Sequence, residues 1–70
     1  MEASVLVKLL EDFKIKNVFC QITRKNGYFF NGYVKEIDKE FIVFDDRKIG
    51  ITAIALDNIN EVRKNREGTR

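Results

Sequence analysis

Four acidic side chains in the middle of the chain are the first residues whose type suggests chemistry. They are Asp38, Glu40, Asp45 and Asp46. Carboxylate oxygens are the ligands that hard cations such as Mg²⁺ prefer, but this spacing matches no ligand motif and acidic turns are usually solvated. The chain also has no histidine, which excludes His-based acid–base pairs and imidazole metal ligands. We therefore predict no enzyme, no metal site and no cofactor.

The single cysteine, Cys20, is predicted to be a small core residue, because it lies on the apolar side of a strand pattern. One cysteine cannot form an intramolecular disulfide, and without histidine a tetrahedral zinc site is not expected. The longest apolar runs, at 5–7 and 41–44, are too short to cross a bilayer. A free thiol and an acidic start at Glu2 predict a cytoplasmic protein that does not enter the membrane.

The chain has only 70 residues, so its core is small and another source of stability is expected. With no disulfide or metal predicted, that source is self-association. The formal net charge of +2 permits nucleic-acid binding without requiring it. Residues 64–70 are predicted to form a basic, disordered tail, which is either a solubilising segment or an arm for an anionic partner.

The apolar period changes from helical to strand-like near Asn17. Leu6, Leu9, Leu10 and Phe13 share one face of a predicted helix, for which Ser4 is the expected N-cap. The rest of the chain has strand periodicity. We predict a domain over 1–63 with a helix at about 4–14 and strands at about 17–25, 28–37, 41–46, 49–56 and 59–63.

Two glycines shape the predicted sheet. Asn26-Gly27 between strand-like runs indicates a hairpin, for which we expect a type I′ turn. Gly32 inside a long aromatic and β-branched strand indicates a bend, a bulge or a close backbone approach. The predicted fold class is α+β: an N-terminal helix followed by a five-stranded, strongly bent antiparallel small barrel.

The segment 26–38 resembles the first motif of the Sm-like (LSm) family, and most closely its Hfq RNA-chaperone branch. The matching positions are Asn26, Gly27, Phe30, Gly32, Val34, Ile37 and Asp38. The resemblance extends over most of the chain and is weaker after Asp46. It implies a homo-oligomeric ring in which strand four of one subunit pairs with strand five of the next. A hexamer is favoured, and a heptamer is the alternative.

The resemblance also implies that the ring binds single-stranded RNA and acts in post-transcriptional regulation. Adenine-rich RNA would bind the distal face, through residues at the places that build adenine clefts. These are Thr23, Asn26, Gly27, Tyr28, Phe29 and Asn31. For Tyr28 and Phe29, a role in the barrel interior or the subunit interface remains an equal alternative, whereas Phe30 is expected to be structural. Asn31 would read adenine through two hydrogen bonds.

Uridine-rich RNA would bind near the pore on the proximal face, and the rim would add basic contacts. The corresponding pore positions are Lys39, Phe41, Leu56, Asp57 and Asn58, and those of the rim are Lys14 and Lys16. The Hfq branch has Tyr-Lys-His at the places of Ala55, Leu56 and Asp57, so the pore departs from its pattern. Phe41 either stacks on a base or faces the barrel interior, and its alternation with Val43 favours the interior.

Two functional hypotheses follow from this resemblance and its departures. The first is a divergent Hfq-like ring that binds single-stranded RNA. The second is a Sm-like ring that has lost RNA binding and serves as a protein-interaction scaffold, as the missing pore residues suggest. Salt-dependent RNA binding would distinguish them, because contacts with phosphate weaken as salt rises.

Overall fold

The computed structural model describes residues 3–65 and confirms a helix followed by five antiparallel strands. The helix α1 is Ala3–Ile15, and the strands are β1 Cys20–Arg24, β2 Phe29–Ile37, β3 Phe41–Asp46, β4 Gly50–Ala55 and β5 Ile59–Lys64. A short 3₁₀ turn, Leu56–Asn58, joins β4 to β5. Most of the predicted tail lies outside the described residues, as does the side chain of Ser4. Because the helix already includes Ala3, Ser4 lies within it, and the prediction that Ser4 is the N-cap was wrong.

Hydrogen bonds at the C-terminal end of the helix also determine the residue at which the first strand begins. Asn17 has a positive φ of 54°, its N–H donates to the carbonyl of Lys14, and the N–H of Val18 donates to the carbonyl of Phe13. This is the Schellman pattern, in which a left-handed residue satisfies the last helical carbonyls. Because residues 17 and 18 cap the helix, β1 begins at Cys20 rather than at the predicted Asn17.

The sheet has the order β4-β3-β2-β1-β5, with every described pair antiparallel. Within the described chain β4 and β5 are therefore the two edges. The β2–β3 register shifts between Val34 and Glu36, which marks an irregularity that bends the sheet. At Gly32 the backbones approach so closely that a Cβ would overlap the carbonyl oxygen of Asp45. The close approach predicted for Gly32 is confirmed.

The core lies between the apolar face of α1 and the concave side of the sheet. Leu10 from the helix and Ile22, Ile42 and Phe44 from the strands have no solvent exposure. Cys20 is equally buried, and burial raises the pKa of its thiol to about 12, so the thiol stays protonated at neutral pH. The core role predicted for Cys20 is therefore confirmed. No helix among residues 3–65 has the length and apolar character to span a membrane.

The β1–β2 hairpin forms as predicted, but the turn type was wrong. Only Gly27, with a φ of 94°, has a positive φ within the loop. The Gly27 N–H donates to the Arg24 carbonyl, and the Arg24 N–H donates to the Tyr28 carbonyl at 2.7 Å. This is a three-residue loop with a left-handed glycine. Asn26 instead uses its side-chain oxygen, which accepts the Tyr28 N–H at 3.0 Å.

Candidate nucleic-acid interface

An open cavity with a volume of about 850 Å³ lies between the β1–β2 turn and the β3–β4 turn. We call it the aromatic groove. Five of the six predicted distal-face residues line it, and Thr23 does not. The groove is lined by Arg24, Asn26, Gly27, Tyr28, Phe29, Phe30, Asn31, Asp46, Arg47, Lys48 and Ile49. Thr23 lies beside it on β1, where it pairs with Phe29 and, on the other side, with Glu61 of β5.

Strand alternation decides which aromatic rings the groove presents. Phe30 turns toward the core, and its ring lies 6.5 Å from that of Phe44. Phe29 points the other way and is 57% exposed, and Tyr28 in the turn is 71% exposed. The barrel-filling alternative is therefore wrong for Tyr28 and Phe29, while the structural role expected for Phe30 is supported. Two exposed rings that line one groove offer surfaces on which planar bases could stack.

Asn31 is held in place by hydrogen bonds from both its backbone and its side chain. Its N–H donates to Asp46 Oδ1 at 2.9 Å, and its carbonyl accepts the Arg47 N–H at 2.9 Å. Its side-chain Oδ1 accepts a hydrogen bond from Asn65 Nδ2 at 2.6 Å. One half of the Asn31 amide is therefore already occupied. This departs from the two-bond reading of adenine expected from the resemblance.

Asp46 builds the wall of the groove and does not act as a free acid. Its carboxylate accepts the N–H groups of Asn31, Lys48 and Ile49 at 2.9, 2.9 and 3.1 Å. Desolvation by burial raises the pKa of Asp46, but these three hydrogen bonds and the charge of Lys48 outweigh it and lower the pKa below its ordinary value. This role was missed from sequence, although an Asp at the start of a polar turn is the signal for such bonds.

Positive charge surrounds this buried carboxylate. Arg24, Arg47 and Lys48 all line the groove. Arg47 places its guanidinium carbon 5.8 Å from the centroid of the Phe19 ring, which Tyr33 contacts edge-on. Among residues 3–65, Arg24 Nε is the buried side-chain nitrogen without a hydrogen-bond partner. A buried donor left unpaired is costly, so a ligand that brings an acceptor here would be stabilised.

Of the predicted pore residues, Lys39 and Phe41 lie at the opposite end of the β2–β3 ladder, whereas Asn58 adjoins the β1–β2 turn, where its carbonyl accepts the Lys25 N–H at 2.8 Å. The Leu56 N–H donates to the Glu40 carbonyl at 2.9 Å, and Phe41 pairs with Ala55, so the β2–β3 turn and the 3₁₀ turn are brought together. Lys39, Asp57 and Asn58 are all exposed in these turns. We call this region the acidic end, because the exposed carboxylates of the two turns are Asp38, Glu40 and Asp57.

Phe41 does not face the core, so the alternation argument gave the wrong side. Ile42 and Phe44 of the same strand are fully buried, which places Phe41 and Val43 on the outer face. Phe41 is 38% exposed and remains accessible to a ligand. A smaller cavity of about 240 Å³ nearby is lined in part by Leu6, Lys25, Leu56 and Asp57. Leu6 is itself buried in the core, as expected for a structural residue.

The predicted rim residues lie at the C-terminal end of α1. Lys14 and Lys16 are both exposed, and Lys16 Nζ lies 3.2 Å from Asp12 Oδ1. This pair is one helical turn apart and largely solvated, so it contributes little to stability. Among the described residues, no group of three or more His, Cys, Asp or Glu side chains is arranged to hold a metal ion.

No protein-family model and no curated protein sequence matches the chain. Among solved structures, the chain is similar to a crystal structure of Hfq, described there as a pleiotropic translational regulator. The TM-score is 0.74 at 22% sequence identity, and the match covers 83% of this chain and 95% of the Hfq chain. The helix and five-stranded antiparallel sheet of this chain are thus those of the Sm-like fold.

Proposed function

We propose that this chain, which has the Sm-like fold, forms a homo-oligomeric ring that binds single-stranded RNA in the aromatic groove. The observation that carries the proposal is the groove itself, where Tyr28 and Phe29 are exposed beside Asn31 and three cationic side chains. Adenine-rich RNA is the expected ligand of this distal face. The proposed role is that of a cytoplasmic RNA chaperone in post-transcriptional regulation, without catalysis.

The groove combines the two interactions on which single-strand binding depends. Stacking of one base on an aromatic ring contributes roughly 1–3 kcal/mol, and every base offers a face for it. Arg24, Arg47 and Lys48 supply positive charge for phosphates. The carboxylate of Asp46 opposes this charge only weakly, because it is 7% exposed and turned toward three backbone N–H groups. RNA in the groove would therefore contact aromatic rings and positively charged side chains.

The ring is supported by the two edge strands. β4 and β5 each pair with one neighbour within the described chain, which leaves backbone donors and acceptors available on their outer sides. Pairing of β4 with β5 of the next subunit would satisfy them and would cover Ile51, which is 65% exposed. Head-to-tail pairing that closes gives a ring. We propose a hexamer, with a heptamer as the alternative.

The acidic end is assigned a weaker, secondary contact with uridine-rich RNA near the pore. Phe41 offers a partly exposed ring, and Lys39, Leu56 and Asn58 lie in the adjoining turns. Asp57 opposes phosphate at this place. Lys14 and Lys16 on the helix would add basic contacts at the rim.

The test combines the mass of the assembly with RNA binding. Light scattering should give about six times the mass of one chain at all protein concentrations, and an 8.2 kDa particle would refute the ring. Fluorescence anisotropy with a short adenine-rich RNA should show an affinity that decreases as salt increases. A ring that binds no oligonucleotide at low salt would refute RNA binding.

The scaffold hypothesis is retained because of the acidic end. Asp57 is exposed where the resembling branch has a basic pore residue, and Glu40 is brought to the same place by the Leu56 hydrogen bond. A ring with such a pore could have exchanged RNA for a basic protein partner. The salt-dependent binding experiment separates the two functions, since a scaffold of this kind would leave the anisotropy of the RNA unchanged.

A further inference from the structure

The hydrogen bond between Asn65 and Asn31 has a consequence for base recognition. Asn65 follows β5, and its N–H donates to the Phe19 carbonyl at 3.0 Å, which fixes its backbone beside β1. From there its side-chain Nδ2 reaches across β1 to Asn31 Oδ1 on β2, at 2.6 Å. Residue 65 is thus a fixed neighbour of the groove.

An asparagine amide has one oxygen that accepts hydrogen bonds and one NH₂ group that donates two. In Asn31 the oxygen is directed to Asn65. The Nδ2 of Asn31 is neither hydrogen-bonded to a described residue nor buried. Asn31 therefore presents a donor to the groove and keeps its acceptor turned away.

Phe29 sets the place at which this donor meets a base. It lies two residues before Asn31 on the same face of β2, a separation of about 7 Å along the strand. A base stacked on the exposed Phe29 ring would bring its hydrogen-bonding edge to the Asn31 amide. In single-stranded RNA both the Watson–Crick and the Hoogsteen edges are available for such contacts.

We propose that Asn65 is a specificity-determining residue that makes the one base position beside Asn31, within an otherwise adenine-rich RNA, prefer a 6-oxopurine such as guanine over adenine. Guanine offers two adjacent acceptors, N7 and O6, and both suit an NH₂ donor. Adenine offers N7 as acceptor, but its N6 amino group is a donor that meets the donor of Asn31. Adenine thus keeps one contact, and a 6-oxopurine gains a second. This inference rests on the RNA binding proposed above.

The test compares an adenine-rich RNA with the same RNA in which one adenine is replaced by inosine. Inosine has O6 in place of the N6 amino group and is otherwise similar in shape. The wild-type ring is expected to bind the inosine-containing RNA about 3- to 10-fold more tightly, the effect of one hydrogen bond.

The informative variant is Asn65→Asp. A carboxylate only accepts hydrogen bonds, so Asn31 would donate to it through Nδ2 and turn its oxygen toward the groove. The preference should then reverse, with adenine bound more tightly than inosine. Asn65→Ala removes the partner, leaves the Asn31 amide able to adopt either orientation, and should bring the affinity ratio close to one.

Asn17→Asp is the matched control, because it adds the same charge at an exposed position that makes no side-chain contact with Asn31. It should lower the affinity for both RNAs alike and keep the wild-type ratio. In Asn31→Ala the ratio should be close to one whether residue 65 is Asn or Asp.

An unchanged ratio in Asn65→Asp, or a wild-type preference for adenine, would overturn the inference while leaving the proposed function standing. Absence of binding to both RNAs at low salt would instead overturn the proposed function, and the inference with it.

Discussion

The aromatic groove and the β2–β3 turn of the acidic end lie at opposite ends of the same β2–β3 ladder, and the carboxylates of the two regions differ in exposure. At the groove the carboxylate of Asp46 is buried and hydrogen-bonded, while Arg24, Arg47 and Lys48 line the surface. At the acidic end Asp38, Glu40 and Asp57 are all exposed. The same residue type thus builds a wall at one end and repels phosphate at the other.

The two ends also differ in what they present to a planar ligand. The groove exposes Tyr28 and Phe29, and the Asn31 amide that also lines it is held by Asn65. The acidic end exposes one partly covered ring, Phe41. The difference indicates that exposed aromatic rings and cationic side chains are concentrated at one end of this chain and are fewer at the other. Four principal substitutions, each with a comparison variant, test this contrast, from the largest expected effect to the smallest.

Gly32→Ala should abolish the groove by disrupting the ladder that supports it. The added Cβ would overlap the carbonyl oxygen of Asp45 and separate β2 from β3, next to the bond between the Asn31 N–H and Asp46. We expect a loss of about 3 kcal/mol or more in the free energy of unfolding, measured in urea. Gly27→Ala is the control: it has open space and strains only the positive φ, which costs about 1–2 kcal/mol. Equal losses would contradict the role of Gly32.

Asp46→Asn should destabilise the groove and change how stability depends on pH. Because the pKa of Asp46 is lowered in the folded state, its stabilising contribution is complete above the unfolded value of about 3.9 and is lost as pH falls through the folded pKa. We expect a loss of about 1.5–3 kcal/mol at pH 7 that diminishes in acid. Unfolding between pH 2 and pH 7 measures this.

Asp57→Asn provides the comparison from the acidic end. Its side chain is exposed, so its replacement should leave the free energy of unfolding at pH 7 almost unchanged. Equal losses of stability at pH 7 in the two variants would contradict the contrast between a structural and a solvated carboxylate.

Phe29→Ala should lower the affinity for adenine-rich RNA about 10-fold, because it removes one stacking surface from the groove. Phe41→Ala, at the acidic end, should change the affinity for the same RNA by less than about twofold. Titrations followed by fluorescence anisotropy measure both. Tyr28→Ala is likewise expected to lower the affinity for this RNA more than Leu56→Ala does. Comparable losses at the two ends would contradict the assignment of adenine-rich RNA to the groove.

Lys48→Gln should produce the smallest effect, seen in the salt dependence of binding. Removal of one phosphate contact lowers the slope of log affinity against log salt by about 0.7 for a single strand. Asp57→Asn should leave that slope unchanged when the RNA lies in the groove. A slope that changes only in the Asp57 variant would indicate that the RNA binds at the acidic end and not in the groove.

Much of the fold was predictable because local rules and the sheet agree. The helical spacing of Leu6, Leu10 and Phe13 predicts one buried face, which is observed. For the glycine within β2, the structure shows the close backbone approach, one of the three alternatives predicted. The hairpin was also predictable, but its turn type was not. Asn26 satisfies the loop through its side chain, so it has no need of the positive φ that a type I′ turn demands.

The site was predictable in part. Tyr28, Phe29 and Asn31 were identified through the resemblance, but their exposure followed only from the side of β2 on which each residue lies. Phe41 was assigned to the wrong face for the same reason: alternation gives two faces and does not say which one meets the core. Asp46, Arg47 and Lys48 were missed because they reach the groove through a turn far along the chain.

By itself the sequence determined the order of elements, the positions of the turns and the absence of imidazole chemistry, since these depend on residue type and near-neighbour spacing. Only the tertiary structure decided that Asp46 is a buried acceptor and that Asn65 occupies the oxygen of Asn31. These contacts join residues 15 and 34 positions apart. The register and curvature of the sheet bring these residues together, and no local sequence pattern indicates such long-range contacts.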